Sequence, residues 1–458
     1  MTGPSVRTET LWDHATPETV RDALTSRAVR DRLRQALTSM LISDAELEPC
    51  RIRRAKFKPG RKLTVHIDVR ARSGTDDVTR QVVVRLLPGA HLPEGSIADE
   101  AGSVAAPGAT ITRPFERLHG HVPDLRAEIL VWPFDPQLPR LHQLADPTHA
   151  GRMLTPEGHG DRTLAFGVRT IRYRPGERHV IRYVPLDPAA ECIGTVYAKL
   201  GRNGDPARMG AITTRAAEVL EASDLATTAA RPVRGAADTN VLLLAGVGGR
   251  PLSEMLRRVD PAALPHVLRV GRALGALHAG SSADDGRSQA RPEPRTNAAR
   301  RASEHITSML PDVGAQVVET LDRAEAAFEA VDVGEPTLVH GDLKADHVLI
   351  GGGRTSFVDF GSLGTGEPSM DLGKFLADLR WWQPPRTLPG RRACAAFLRG
   401  YGRGDDDARV LRARVWESVY FLGIAAHRVP LWDVAWEQRT RSLIDEADRA
   451  LHETEAHL

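Results

Sequence analysis

The sequence predicts an α+β chain in which two β-rich modules precede a mostly helical one. A repeated hairpin, a shift to helical periodicity near residue 251 and a short strand–turn–strand segment near residue 350 carry that prediction. Residues 54–69 read RAKFKPGRKLTVHIDV, and residues 170–184 read TIRYRPGERHVIRYV. Each has an aromatic residue, a basic residue, Pro-Gly, two polar residues and then an alternating apolar run. Proline presets φ and glycine supplies φ > 0, so each segment reads as a hairpin.

The two copies stay parallel downstream. VVVRL (82–86) and VYAKL (196–200) are short apolar strands with a basic residue in fourth place, Arg85 and Lys199. Each leads into an expected helix, 93–106 or 207–222, and then into another apolar strand, AEILVWPF (127–134) or NVLLLAG (240–246). Beyond residue 251 helical spacing dominates. Helices are expected over 264–278 and 313–331, with an exposed loop over 280–298. More helices are expected over 371–458, broken at 403–407.

Bulk properties narrow the function classes. A chain of 458 residues, 41% of them hydrophobic, can bury a large core and more than one domain. A net charge of +2 gives no basis for a nucleic-acid or anionic-membrane partner. Only six residues are lysine, so a lysine at a special place stands out. Cys50, Cys192 and Cys394 lie far apart with no CxxC pair, which argues against a zinc site or disulfide framework and fits a reducing cytosol. With no apolar run of signal-peptide or bilayer length, a cytoplasmic protein is expected.

The chemistry concentrates in residues 338–361, LVHGDLKADHVLIGGGRTSFVDFG. Strands Val348–Ile350 and Ser356–Val358 flank a glycine turn at Gly351–Gly353. A polar loop enters the first strand and Asp359 leaves the second. That arrangement puts Asp342 and Asp359, 17 positions apart, at the same end of one hairpin. Two carboxylates converging there can hold a hydroxyl nucleophile and a magnesium ion. In the strand VYAKL, Lys199 is a charge among apolar neighbours and needs a partner.

The segment His340-Gly341-Asp342 followed by Val358-Asp359-Phe360-Gly361 resembles the catalytic and metal-binding core of the aminoglycoside phosphotransferase family, which is related to protein kinases. The resemblance implies a bilobal protein-kinase-like fold with an additional N-terminal N-lobe-like module. The expected units are residues 1–150 for that degenerate module, 155–250 for the kinase-like N-lobe and 251–458 for the helical C-lobe. It implies transfer of the γ-phosphoryl group of ATP or GTP, with Mg²⁺, to a hydroxyl.

Site roles follow from the same resemblance. Asp342 accepts the acceptor's proton and Asp359 ligates the metal. Lys199 holds the α- and β-phosphates and is itself held by Glu218 on the helix 207–222. The hairpin YRPGERH lies over the phosphates, with Arg174 and Arg178 in reach of them. His340 and Asp371 brace the catalytic loop. At the position of the family's second metal ligand, asparagine, this sequence has His347. An amide oxygen suits hard Mg²⁺, whereas imidazole suits softer metals. Asp346 next to it is an alternative oxygen donor.

The expected acceptor is a small molecule, an aminoglycoside, sugar or related metabolite. A precursor peptide phosphorylated on Ser or Thr, and a nucleotide-binding pseudokinase scaffold, are the alternatives. An acidic acceptor pocket would favour a cationic aminoglycoside. The N-terminal module either shapes the acceptor site or stabilises an oligomer, and the turn Trp132–Pro136 marks a possible docking surface for it.

Overall fold

A computed structural model describes residues 10–457 apart from 75, 89–110, 157–162, 203–204, 224, 234–240, 281–294, 333, 384–386 and 405–406. The helix expected at 93–106 and most of the loop expected at 280–298 lie outside the described residues.

The repeat is architectural. In the first module, hairpin strands Arg51–Lys58 and Lys62–Ser73 are followed across the sheet by Asp76–Leu86, Ala127–Val131 and His119–Val122, all antiparallel. In the second, Phe166–Arg174 and Arg178–Pro185 are followed by Val196–Gly201 and Val241–Ala245. Gly60 and Gly176 both have positive φ, +61° and +71°, as Pro-Gly turns require. Helix Pro206–Ala222 follows the basic strand of the second copy.

Two N-terminal helices, Pro17–Thr25 and Arg27–Thr38, were not expected. Their start signals are local. Thr16 forms a capping box with Thr19, and Ser26 accepts from the Val29 amide. The arginine-rich helix Arg27–Thr38 buries only Val29 and Leu37, so its apolar stripe is sparse.

The helical part holds a third, smaller sheet. Strands Val348–Gly351 and Arg354–Phe357 form a hairpin; Arg250–Pro251 pairs on one side and Thr227–Ala229 runs parallel on the other. The strand Thr227–Ala229 thus ties the second module to the catalytic hairpin. Long helices Ala263–Ala279, Pro311–Ala330, Pro368–Trp382, Leu388–Tyr401, Ala408–Arg428 and Trp436–Glu455 complete this lobe. The chain is therefore a bilobal, kinase-like α+β fold with an extra N-terminal sheet module. One apolar core runs from the first module through the second into Ala408–Arg428, and another lies beneath the catalytic segment. Among the described residues no helix is long and apolar enough to cross a membrane.

A buried polar node fixes the helices. Arg412 is 1% exposed and donates to Glu367 at 2.5 Å and to the carbonyls of Val331, at 2.6 Å, and Phe328. Glu367 also accepts from the Trp416 indole at 2.8 Å. Arg412→Ala strands that carboxylate and both carbonyls, and should lower unfolding free energy by about 3–5 kcal/mol. Urea denaturation of the variant checks this; an unchanged midpoint would contradict it.

Candidate active site

The catalytic hairpin is set by its turn. Gly352 and Gly353 both take positive φ, +56° and +75°, the pair of values a tight hairpin of this twist needs. The ladder continues past the strands, with the Val358 amide donating to the His347 carbonyl at 3.0 Å. His347 and Asp359 therefore emerge side by side at the open end. Asp359 itself is left-handed, at φ +67°, a strained state for a residue with a side chain.

The preceding loop is held from below. Asp371 accepts from the amides of His340, at 2.5 Å, and Gly341, at 2.8 Å, and its own position is shared with His278 at 3.4 Å. Gly341 has φ +74°, and a Cβ there would lie 2.3 Å from the Ser362 carbonyl oxygen, so only glycine fits. Asp378 accepts from the Ala345 amide at 2.6 Å. His340 is buried, packs on Phe360 at 4.8 Å, and lies parallel to His347. Burial keeps it neutral, and its Nδ1 accepts from the Asp342 amide at 3.4 Å.

Asp342, His347 and Asp359 converge, with one donor atom of each within 4.8 Å of the others. Burial acts to raise the Asp342 carboxyl, but the Lys374 and Lys344 ammoniums outweigh it and hold it well below the usual carboxylate range. The Lys374 ammonium lies 2.7 Å from one of its oxygens and that of Lys344 3.1 Å from the other. Burial likewise acts to raise Asp359, and the Lys199 ammonium, with Arg178 further off, holds it well below the usual range.

His347 is a test of whether a cation fits here. Its Nδ1 lies 2.9 Å from the Asp342 backbone carbonyl, which can only accept, so Nδ1 carries the proton. Burial pushes the ring down to about 3, so it is neutral. Its other nitrogen then points a lone pair at an Asp359 oxygen 3.3 Å away. Two acceptors facing each other, beside a second carboxylate, form a donor set for a divalent cation. Asp346 is not part of it, since it accepts from the Ser253 hydroxyl at 2.5 Å.

Lys199 projects from its strand to Asp359, 2.8 Å away, and so links the two lobes. It does not meet Glu218. That side chain is 54% exposed and 4.0 Å from Arg215, because helix Pro206–Ala222 turns Thr213, Ala216, Ala217 and Leu220 inward instead. In the first module, Arg85 at the matching position is neutralised by Glu128 at 3.2 Å, which also contacts His119.

The hairpin over the site is pinned by the first module. Asp135 is buried and accepts from the Tyr173 hydroxyl and the Gly176 amide, both at 2.8 Å. Trp132 donates to His179 at 3.0 Å. The Gly176 amide at the tip of the turn is therefore already bonded. Arg178 lies close enough to Asp359 to help depress its carboxyl, while Arg174 sits among Arg172, Arg178 and Arg54. Asp135→Ala leaves a phenol and an amide without partners, at about 1–3 kcal/mol each. The expected result is a nucleotide KM raised about tenfold with a smaller change in kcat; an unaltered KM in steady-state assays would count against the clamp.

Residues 194–414 match the model of the phosphotransferase enzyme family. That span forms a phosphotransferase-family domain. It takes in Lys199, Asp342, His347 and Asp359, and leaves out the first module and the overlying hairpin. No curated protein sequence matches the chain.

Solved structures similar to this phosphotransferase include a spectinomycin phosphotransferase in complex with ADP and spectinomycin. That structure is 12% identical, covers 64% of this chain and 95% of its own, and has a TM-score of 0.44. A choline kinase from Cryptosporidium parvum is 11% identical over 67% of this chain and 94% of its own, with a TM-score of 0.45. An aminoglycoside 2'-phosphotransferase bound to GDP is 17% identical over 68% and 98%, with a TM-score of 0.42.

Two functional residues escaped the sequence reading of the site, Lys344 and Lys374. Their signal was present: half of the six lysines, Lys199, Lys344 and Lys374, touch the two central aspartates.

Proposed function

We propose that this phosphotransferase moves the γ-phosphoryl group of ATP or GTP to a hydroxyl of a sugar or related small metabolite. The observation that carries the proposal is the convergence of Asp342, Asp359 and Lys199, drawn from two lobes, on one point. Asp342, ionised between two lysines, receives the proton of the acceptor hydroxyl and aims its oxygen. Lys199, now on Asp359, is placed to turn toward phosphate oxygens. Asp359, with His347 beside it, would hold a divalent cation, Mg²⁺ in the simplest case. That ion supplies charge neutralisation at the phosphates. Arg178 adds positive charge on the same side.

The test is transfer of labelled γ-phosphate from ATP, and separately GTP, to a panel of hydroxyl compounds in Mg²⁺. Turnover with at least one acceptor class supports the proposal; nucleotide binding with no turnover in any metal overturns it.

His347→Asn separates the metal question. The amide restores an all-oxygen donor set, so the ratio of Mg²⁺ to Mn²⁺ affinity should rise about tenfold. Direct metal titration in the presence of ADP reads this ratio. An unmoved ratio means His347 does not touch the ion.

A further inference from the structure

A group of cations gathers where the first hairpin meets the second. Arg54 and Lys56 come from the first hairpin, and Arg172 and Arg174 from the second. Arg54 is half-buried and feels Arg172 and Arg178; Lys56 feels Arg54, Lys58 and Arg174. Burial, then Arg172, Arg178 and Arg54, push the Arg174 guanidinium down to about 10. The carboxylate near this group is Glu177, one charge against four. None of the four cations has an ion-pair partner within 4.0 Å among the described residues. The Arg174 Nε is buried with no hydrogen-bond partner.

The group also borders the catalytic loop. Arg172 acts on Lys344, which lies 3.1 Å from Asp342. On the C-lobe side His427, from helix Ala408–Arg428, faces Lys56, Arg54 and Arg174, and burial with those cations pushes it down to about 4. Holding these like charges together, with Arg54, Arg172 and Arg174 half-buried, is unfavourable unless an anion enters among them. Guanidinium forks are the side chains best suited to a carboxylate or phosphate.

We propose that Arg54, Lys56, Arg172 and Arg174 form an anion subsite that holds a carboxylate or phosphate group carried by the acceptor. The assignment to the acceptor rests on the phosphotransfer reading above. It makes the acceptor an anionic hydroxy compound, such as a hydroxy acid or sugar phosphate, and disfavours a polycationic aminoglycoside. It also gives the first module a share in the site, since two of the four cations are its own.

The test titrates inorganic phosphate into the full chain saturated with ADP and Mg²⁺, by calorimetry. Saturable binding is expected, weakened about tenfold or more in Lys56→Glu and in Arg54→Gln/Lys56→Gln, the loss of one charge-assisted contact or more. Lys56 is exposed, so its variant should fold normally, with an unchanged Tm as the check. Acceptor assays with glycerate and with glucose 6-phosphate then distinguish carboxylate from phosphate. No phosphate binding to the ADP-loaded chain, binding indifferent to both variants, or competition between phosphate and ADP would each overturn the subsite. Phosphate binding does not depend on turnover, so a chain that binds phosphate but transfers nothing retains the subsite and loses only the phosphotransfer reading.

Discussion

Asp342→Ala is expected to lower phosphoryl transfer by about a hundred- to ten-thousand-fold while leaving nucleotide affinity within about threefold, the range for a removed general base. The reason lies in its surroundings. Asp342 is clamped by Lys344 and Lys374, not by a phosphate-side group, and its carboxyl is ionised and correctly placed without nucleotide. The loop that carries it is fixed independently through Asp371 and Asp378, so the alanine variant should keep its fold. Single-turnover transfer and equilibrium nucleotide binding on one preparation read the two quantities. Equal loss of both would mean that Asp342 serves binding and not proton acceptance.

Asp359→Asn should act differently. The amide keeps the size of the side chain but removes the charge that faces Lys199 and the His347 lone pair. Divalent-metal affinity should fall about tenfold or more, with transfer falling about a thousand-fold as charge neutralisation at the phosphates is lost. Manganese binding followed by electron paramagnetic resonance, with and without ADP, reports the first quantity. Metal affinity equal to that of the native chain would remove Asp359 from the proposed ion site. Lys199→Ala is a useful companion: it should raise nucleotide KM while sparing metal binding in the absence of nucleotide.

Legibility in the sequence followed the range of the contacts. The catalytic hairpin was readable because its turn, its loop and both carboxylates sit within two dozen consecutive residues. The two sheet modules were readable because their Pro-Gly hairpins and apolar strands repeat in order. Glu218 was misplaced because helical periodicity gives a helix but not the direction its faces take relative to a separate strand. Lys374 reaches Asp342 from a helix over 30 residues away, and Lys344, only two positions off, belongs to no motif; only the scarcity of lysine hinted at them. Asp135 lies about 40 residues from the hairpin it holds, in a module that carries no catalytic motif of its own. No local rule connects the two.

The Asp135 clamp changes what nucleotide binding must accomplish. In a site whose covering loop is loose, the incoming nucleotide has to order that loop, and the lost freedom subtracts from affinity. Here the Tyr173 hydroxyl and the Gly176 amide are already engaged, so the ordering is settled when the chain folds. Nucleotide association should therefore carry a small entropic penalty. The roof of the site would act as a fixed vault entered from the side, with the duplicated sheet as its buttress.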